Sequence, residues 1–163
     1  MEEQSVKCEQ CGAPMRVSHE NHIYREAGLT HVTLLDFEIR RCRECGEYEL
    51  GFYRMGPLHC SIALAFARKP TMLIGSEIRF LRKWMGWTSA EFAAYLGVTP
   101  ETVSRWERGR LAMGATADRL VRLIAVREAK EGDYSIEGWK GLRRSPQRVS
   151  LRVDTRTLNT TWR

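Results

Sequence analysis

The stretch from Thr88 to Gly109, TSAEFAAYLGVTPETVSRWERG, leaves the chain little freedom in what it can become. Thr88 followed by Glu91 is a capping box, in which the hydroxyl takes an amide of the first helical turn and the carboxylate reaches back to the cap. Phe92, Ala93 and Leu96 then share one face at helical spacing. Gly97 ends this helix, because a residue without Cβ takes positive φ at no steric cost. Thr99 and Pro100 suit the N-cap and first position of a second helix. Val103 and Trp106 form its inward face, and Gly109 closes it.

The spacing is more informative than the residue types. Ala93 is small where two helices would cross, Gly97 lies four later in the turn, and Val103 and Trp106 follow at plus ten and plus thirteen. This is the helix-turn-helix pattern, and the stretch resembles the phage-repressor-like (Xre) DNA-binding domains. With Val103 and Trp106 inward, the second helix turns Thr99, Glu101, Thr102 and Arg105 outward. Arg105 has the fork that suits guanine O6 and N7, the alternative being an ion pair with Glu101 one turn away. Ser89 sits where a hydroxyl and free amides grip phosphate, and Ser104, Arg108 and Arg110 are further candidates for phosphate contact.

A second pattern lies upstream. Cys8-Glu-Gln-Cys11-Gly12 returns as Cys42-Arg-Glu-Cys45-Gly46, with 30 residues between Cys11 and Cys42. Each Cys-x-x-Cys-Gly offers two thiolates to one ion, and together Cys8, Cys11, Cys42 and Cys45 make a closed four-thiolate site. Zinc is the first choice for it and iron the second, in a structural rather than catalytic role. Lys7, Arg16, Arg40, Arg41 and Arg43 lie near the knuckles in sequence, either to offset the thiolate charge or simply on a solvated face. His19 and His22 read as surface residues, since two thiolate pairs already fill a tetrahedral site, and Cys60 as a small buried hydrophobe.

Charge divides the chain. Residues 1–70 carry 9 Lys/Arg against 10 Asp/Glu, whereas residues 71–163 carry 17 against 10. All four histidines fall in the first part and the helix-turn-helix in the basic part, the expected electrostatic footprint of a DNA binder. The expected class is therefore α+β: a small zinc ribbon followed by an all-α helix-turn-helix domain. The boundaries read as ribbon 1–54, connector helix 55–70, DNA-binding domain 71–131 and basic tail 132–163. Strands are expected at Met15 to His19 and Val32 to Ile39, and again within GEYELGFYRMG. Helices are expected over Pro57 to Lys69, from an N-cap at Ser76, and over 115–130 with Ala117, Leu120, Val121 and Ile124 inward. The tail is either an arm reaching phosphate or a strand for a partner. The acidic start, MEEQSVKCEQ, is no signal peptide, and no apolar run approaches the roughly 18 residues of a membrane span. A cytoplasmic location follows, and no paired carboxylates, phosphate loop or activated nucleophile suggest an enzyme.

The order of a paired-knuckle ribbon, a connector and VSRWERG resembles the MqsA-type antitoxins and related regulators with YgiT-type zinc fingers, over roughly residues 8–130. The resemblance implies a zinc domain that binds a ribonuclease toxin and a C-terminal domain that dimerises on a palindromic operator, repressing its own promoter. A stand-alone repressor without a toxin is the alternative. Glu101 stands where those antitoxins carry asparagine, one turn before the base-reading arginine that Arg105 matches, so the operator should differ.

Overall fold

The computed structural model describes residues 6–52, 54–132 and 134–163; the first five residues of the acidic start and Tyr53 of the aromatic segment lie outside them. The chain is a mixed α+β structure. Strand β1 (Met15–Ile23) leads through a 3-10 turn (Arg25–Ala27) to β2 (Val32–Cys42) and β3 (Tyr48–Leu50). Helix α1 (Met55–Arg68) and the short β4 (Thr71–Met72) follow. Then come α2 (Gly75–Trp84), α3 (Ser89–Leu96), α4 (Pro100–Glu107) and α5 (Ala115–Glu128). The chain finishes with a second 3-10 segment (Glu137–Gly141), β5 (Arg143–Pro146), β6 (Leu151–Asp154) and β7 (Thr160–Trp162).

β2 organises the larger sheet. It pairs antiparallel with β1 along most of its length, from Met15 opposite Cys42 to Ile23 opposite Thr33. Its other edge is shared, with β3 against Ile39 to Arg41 and β6 parallel to Val32 to Leu35. Between these partners Asp36 takes a φ of 55°, and the register with β1 shifts between Glu20 and His22. The bulge explains the burial pattern: Val32 and Leu34 point inward, the alternation slips by one, and Phe37 and Ile39 point inward after it. β7 completes the sheet against β6. The 132–163 segment is therefore neither a free arm nor a strand for another molecule over β6 and β7. Leu151 and Val153, fully buried, put it in the core of its own chain.

α1 lies between this sheet and the helical part. Leu58, Ile62, Ala63, Ala65, Phe66 and Ala67 are all buried, too many for a single stripe, and the helix is apolar on more than one side because it is covered on more than one side. One continuous core runs from Val32, Leu34 and Val153 in the sheet through Ile62 and Phe66 to Leu81, Val103 and Val121 in the helices. The connector is thus a packed layer and no hinge. The cysteine end has its own cluster, of Cys8, Met15 and Cys42 with Val6 and Ala13.

A buried ionic network fastens the layers, and it corrects two expectations. α2 starts from Ile74 and Gly75, not Ser76: the Ile74 amide donates to Glu77 Oε2 at 2.9 Å, so a glutamate inside the helix caps it. α5 presents Asp118 and Arg122 inward and leaves Leu120 exposed. Glu77 also receives Lys69 Nζ at 2.8 Å and lies 3.0 Å from His31 Nε2. Arg122 Nε donates to Asp118 Oδ2 at 2.7 Å. Its terminal nitrogens reach the carbonyls of Ala67, Lys69 and Thr71. Burial without partners would be costly for these charges; here Glu77, Lys69, Asp118 and Arg122 each have a counter-charge and hydrogen bonds, and only the Nδ1 of His31 is left unbonded among them.

Candidate metal centre and nucleic-acid interface

The two knuckles come together where the free ends of β1 and β2 meet. In the first, Gly12 at φ 73° lets its amide donate back to the Cys8 carbonyl at 2.8 Å; Gly46 holds φ 77° in the second. Cys8 Sγ lies 3.6 Å from Cys45 Sγ, and Cys11 Sγ 3.4 Å from Cys42 Sγ. All four sulfurs fall within 4.8 Å of one another. A tetrahedron with metal–sulfur bonds of about 2.3 Å has edges of about 3.8 Å, so one ion fits with shifts of a few tenths of an ångström. These separations are far too long for disulfides. The amides of Cys45 and Glu44 point at the Cys42 sulfur and lower its pKa to about 7, which makes it the readiest thiolate. At Cys45 the Glu47 amide favours the thiolate, but burial and three neighbouring thiols outweigh it and raise the pKa.

Two of the surrounding cations are engaged elsewhere. Arg40 Nε bonds Glu38 at 2.9 Å, and Arg41 bonds Glu20 at 3.2 Å while lying over the Tyr48 ring. His22 bonds Glu26 and stacks on Phe37, and neither it nor His19 joins the cysteines. Cys60 is half-buried, and burial followed by the Glu131 charge raises its pKa, so it is a poor nucleophile.

The helix-turn-helix geometry begins with its caps. Thr88 Oγ1 accepts from the Glu91 amide at 3.2 Å, and Glu91 Oε2 accepts from the Thr88 amide at 2.7 Å. Gly97 takes φ 66° at the turn. Thr99 Oγ1 accepts from the Thr102 amide at 3.2 Å and starts α4. Phe92, Ala93, Val103 and Trp106 are buried in one shared core.

On the outer side of α4, Glu101 and Arg105 are exposed, with Thr102 and Ser104 half-buried. Among the described residues the Arg105 guanidinium has no carboxylate partner, so the ion pair with Glu101 is not formed. Arg108 and Arg110 are exposed beyond the C-terminus of α4, and Ser89 is half-buried at the start of α3. The Thr99 hydroxyl is occupied by its capping role and by Thr102 Oγ1 at 3.1 Å.

Sequence reasoning missed what sets the angle of α4. Arg82 of α2 donates to Glu107 at 2.5 and 3.2 Å and also to the Trp87 carbonyl at 2.8 Å. Gly75 passes so close that a Cβ would lie 2.5 Å from the Trp106 carbonyl oxygen. Glu107 sits in the VSRWERG motif, but its partner lies 25 residues upstream and nothing local announces it.

A two-helix unit capped at both starts, with one helix presenting an unpaired arginine, has the build of a DNA-binding regulator, and in the same chain four cysteines cluster closely enough to hold a metal ion. Residues 78–129 match the helix-turn-helix family, a span that holds α3, α4 and α5 and α2 from Ile78 onward. No curated protein and no solved structure matches the chain. Among the described residues no helix is long and apolar enough to cross a membrane.

Proposed function

We propose that this protein is a sequence-specific transcriptional repressor that binds a palindromic operator as a homodimer in the cytoplasm. The observation that carries the reading is the two-sidedness of α4: Val103 and Trp106 are buried, while Arg105 is exposed with no carboxylate on it. In the major groove Arg105 reads guanine O6 and N7 as a bidentate donor, and Glu101 accepts from cytosine N4. Thr102 faces the same groove, and Thr99 holds the helix start as well as approaching the bases. Ser89, Ser104, Arg108 and Arg110 take phosphates and fix the docking register. Two copies put their α4 helices into successive major-groove turns, about 34 Å apart.

The metal of the ribbon is zinc in this reading, held by Cys8, Cys11, Cys42 and Cys45. It supplies a fixed cross-link between the two knuckles and leaves no open coordination position.

The finer reading is an antitoxin of a type II toxin–antitoxin pair, with the ribbon as the toxin-docking module. Its support is the order of paired Cys-x-x-Cys-Gly knuckles and VSRWERG in one chain. The test is co-expression with the product of the adjacent open reading frame, together with footprinting on the upstream promoter. A co-purifying ribonuclease that is silenced in the complex supports the antitoxin. A footprint on a palindrome with no bound neighbour makes the protein a stand-alone repressor. No footprint on any promoter fragment refutes both.

A further inference from the structure

Three separately placed pieces of the fold meet around a groove of about 430 Å³ that neither the metal site nor α4 uses. One wall is α2, and the facing wall is the 3-10 turn after β1. His59 of α1 also lines the groove. The volume lies in the range of small-molecule sites.

Its charges are arranged as though something were to sit between them. Arg79 and Lys83 lie one turn apart on α2, a like-charge spacing that on its own destabilises a helix. Arg25 faces the same groove from the opposite wall. Among the described residues neither Arg25 nor Lys83 has a carboxylate partner. Arg79 has only a long contact, 3.4 Å to Glu107, whose carboxylate is already held by Arg82. The single acid in the lining, Glu26, is bonded by His22.

The remaining lining includes two aromatic side chains of α2. Phe80 is almost fully buried and Trp84 half-buried beside it. His59 packs edge-on to Phe80, with ring centres 5.3 Å apart, and the Tyr24 hydroxyl lies 2.6 Å from its Nε2.

We propose that the groove binds a small organic phosphate carrying a planar ring, of mononucleotide size, with the phosphate among Arg25, Arg79 and Lys83 and the ring against Trp84. A phosphate monoester brings a charge of about −1.5 to −2 and three acceptor oxygens, which suits the three cations that line the groove; a single carboxylate leaves most of their repulsion uncompensated. Because Arg79 also touches Glu107 at the end of α4, occupancy of the groove competes for a contact that helps seat that helix. This last consequence rests on the DNA-binding reading; the ligand site itself does not.

The test is titration calorimetry on the full chain with AMP, GMP, CMP and UMP, and with adenosine and inorganic phosphate as the two halves of the ligand. At least one nucleotide should bind saturably with a Kd of about 1 mM or tighter. Adenosine and inorganic phosphate should each bind at least tenfold more weakly. Arg25→Glu with Lys83→Glu should cost at least tenfold in affinity while thermal melting is unchanged, and the gentler Lys83→Gln should lose part of that. No nucleotide binding, equal binding of inorganic phosphate, or binding unaffected by the charge reversals would each overturn the proposal. So would a pair of reversals that weakens DNA binding while no nucleotide binds, which would make the groove part of the DNA footprint. A protein that binds a nucleotide but no operator would instead leave this site standing and remove the regulator.

Discussion

Arg122→Ala tests the ionic network most directly. Arg122 is fully buried and spends its guanidinium on one carboxylate oxygen at 2.7 Å and three main-chain carbonyls at 3.1, 2.7 and 2.6 Å. Truncation leaves the Asp118 carboxylate with the Leu73 amide, at 2.8 Å, as its remaining hydrogen bond, and takes the guanidinium from the carbonyls of Lys69 and Thr71 and from that of Ala67, which keeps the Tyr134 hydroxyl at 2.7 Å. Removing one member of a buried ion pair costs about 3–5 kcal/mol. That is a large part of the roughly 5–15 kcal/mol that holds a domain folded. Asp118→Asn combined with Arg122→Met removes both charges, keeps an acceptor for the Leu73 amide and fills most of the volume. The double variant should recover much of the loss. Urea unfolding followed by circular dichroism, run as a double-mutant cycle, reads both quantities. An Arg122→Ala cost below about 1 kcal/mol, or strictly additive single changes, would refute the account.

Three further outcomes are expected. Arg105→Ala should remove about 1–3 kcal/mol of discrimination between operator and scrambled DNA, read by fluorescence anisotropy, with unchanged helicity because the side chain is exposed. Chelation of the metal should abolish hydrogen-exchange protection around residues 6–16 and 40–50. Val32 to Phe37 and α1 should stay protected, since their core is separate from the cysteine cluster. Gly75→Ala should destabilise by about 1–3 kcal/mol and weaken DNA binding, because its Cβ would lie 2.5 and 2.6 Å from the main-chain oxygens of Trp106 and Glu107, which cannot step aside.

The parts of this fold legible in the sequence are those whose signals are local. Thr88, Glu91, Gly97 and Thr99 announced the ends of α3 and α4 because caps and positive-φ glycines act within a few residues. Cys8, Cys11, Cys42 and Cys45 were readable because ligand spacing within a knuckle is fixed by the metal's geometry. What escaped depended on partners far along the chain. Asp118 and Arg122 look like a solvated i,i+4 pair on α5, and only the carbonyls of 67–71 make them interior residues. Leu120 was expected inward at helical spacing, but those two charges take the buried stripe and leave it outside. Lys69 and Pro70 read as a helix breaker; that Lys69 Nζ reaches Glu77 and the Gln147 carbonyl at 2.6 Å cannot be seen from its neighbours. The alternation in VSLRVDTRTL did mark a strand, yet its pairing with β2 spans about 120 residues.

That long-range pairing bears on whether the helix-turn-helix can be cut free. In a fragment of residues 71–131, α5 loses α1, which covers its Val121 and Ala125 side. Arg122 keeps Asp118 and the Thr71 carbonyl but loses those of Ala67 and Lys69, and Glu77 loses both Lys69 and His31. A buried carboxylate with its counter-charges removed must either ionise in water or be protonated, and either route opens the start of α2. The fragment should therefore melt without a sharp transition and bind operator at least tenfold more weakly than the full chain. A fragment of residues 54–163 keeps Lys69, Ala67 and the α1 layer but lacks β2, so Leu151 and Val153 are laid bare. It should be helical yet prone to aggregate. If the 71–131 fragment melted cooperatively and bound operator as the full chain does, the shared core would be incidental to placing α4, and the argument that the sheet half holds the reading helix in position would fail.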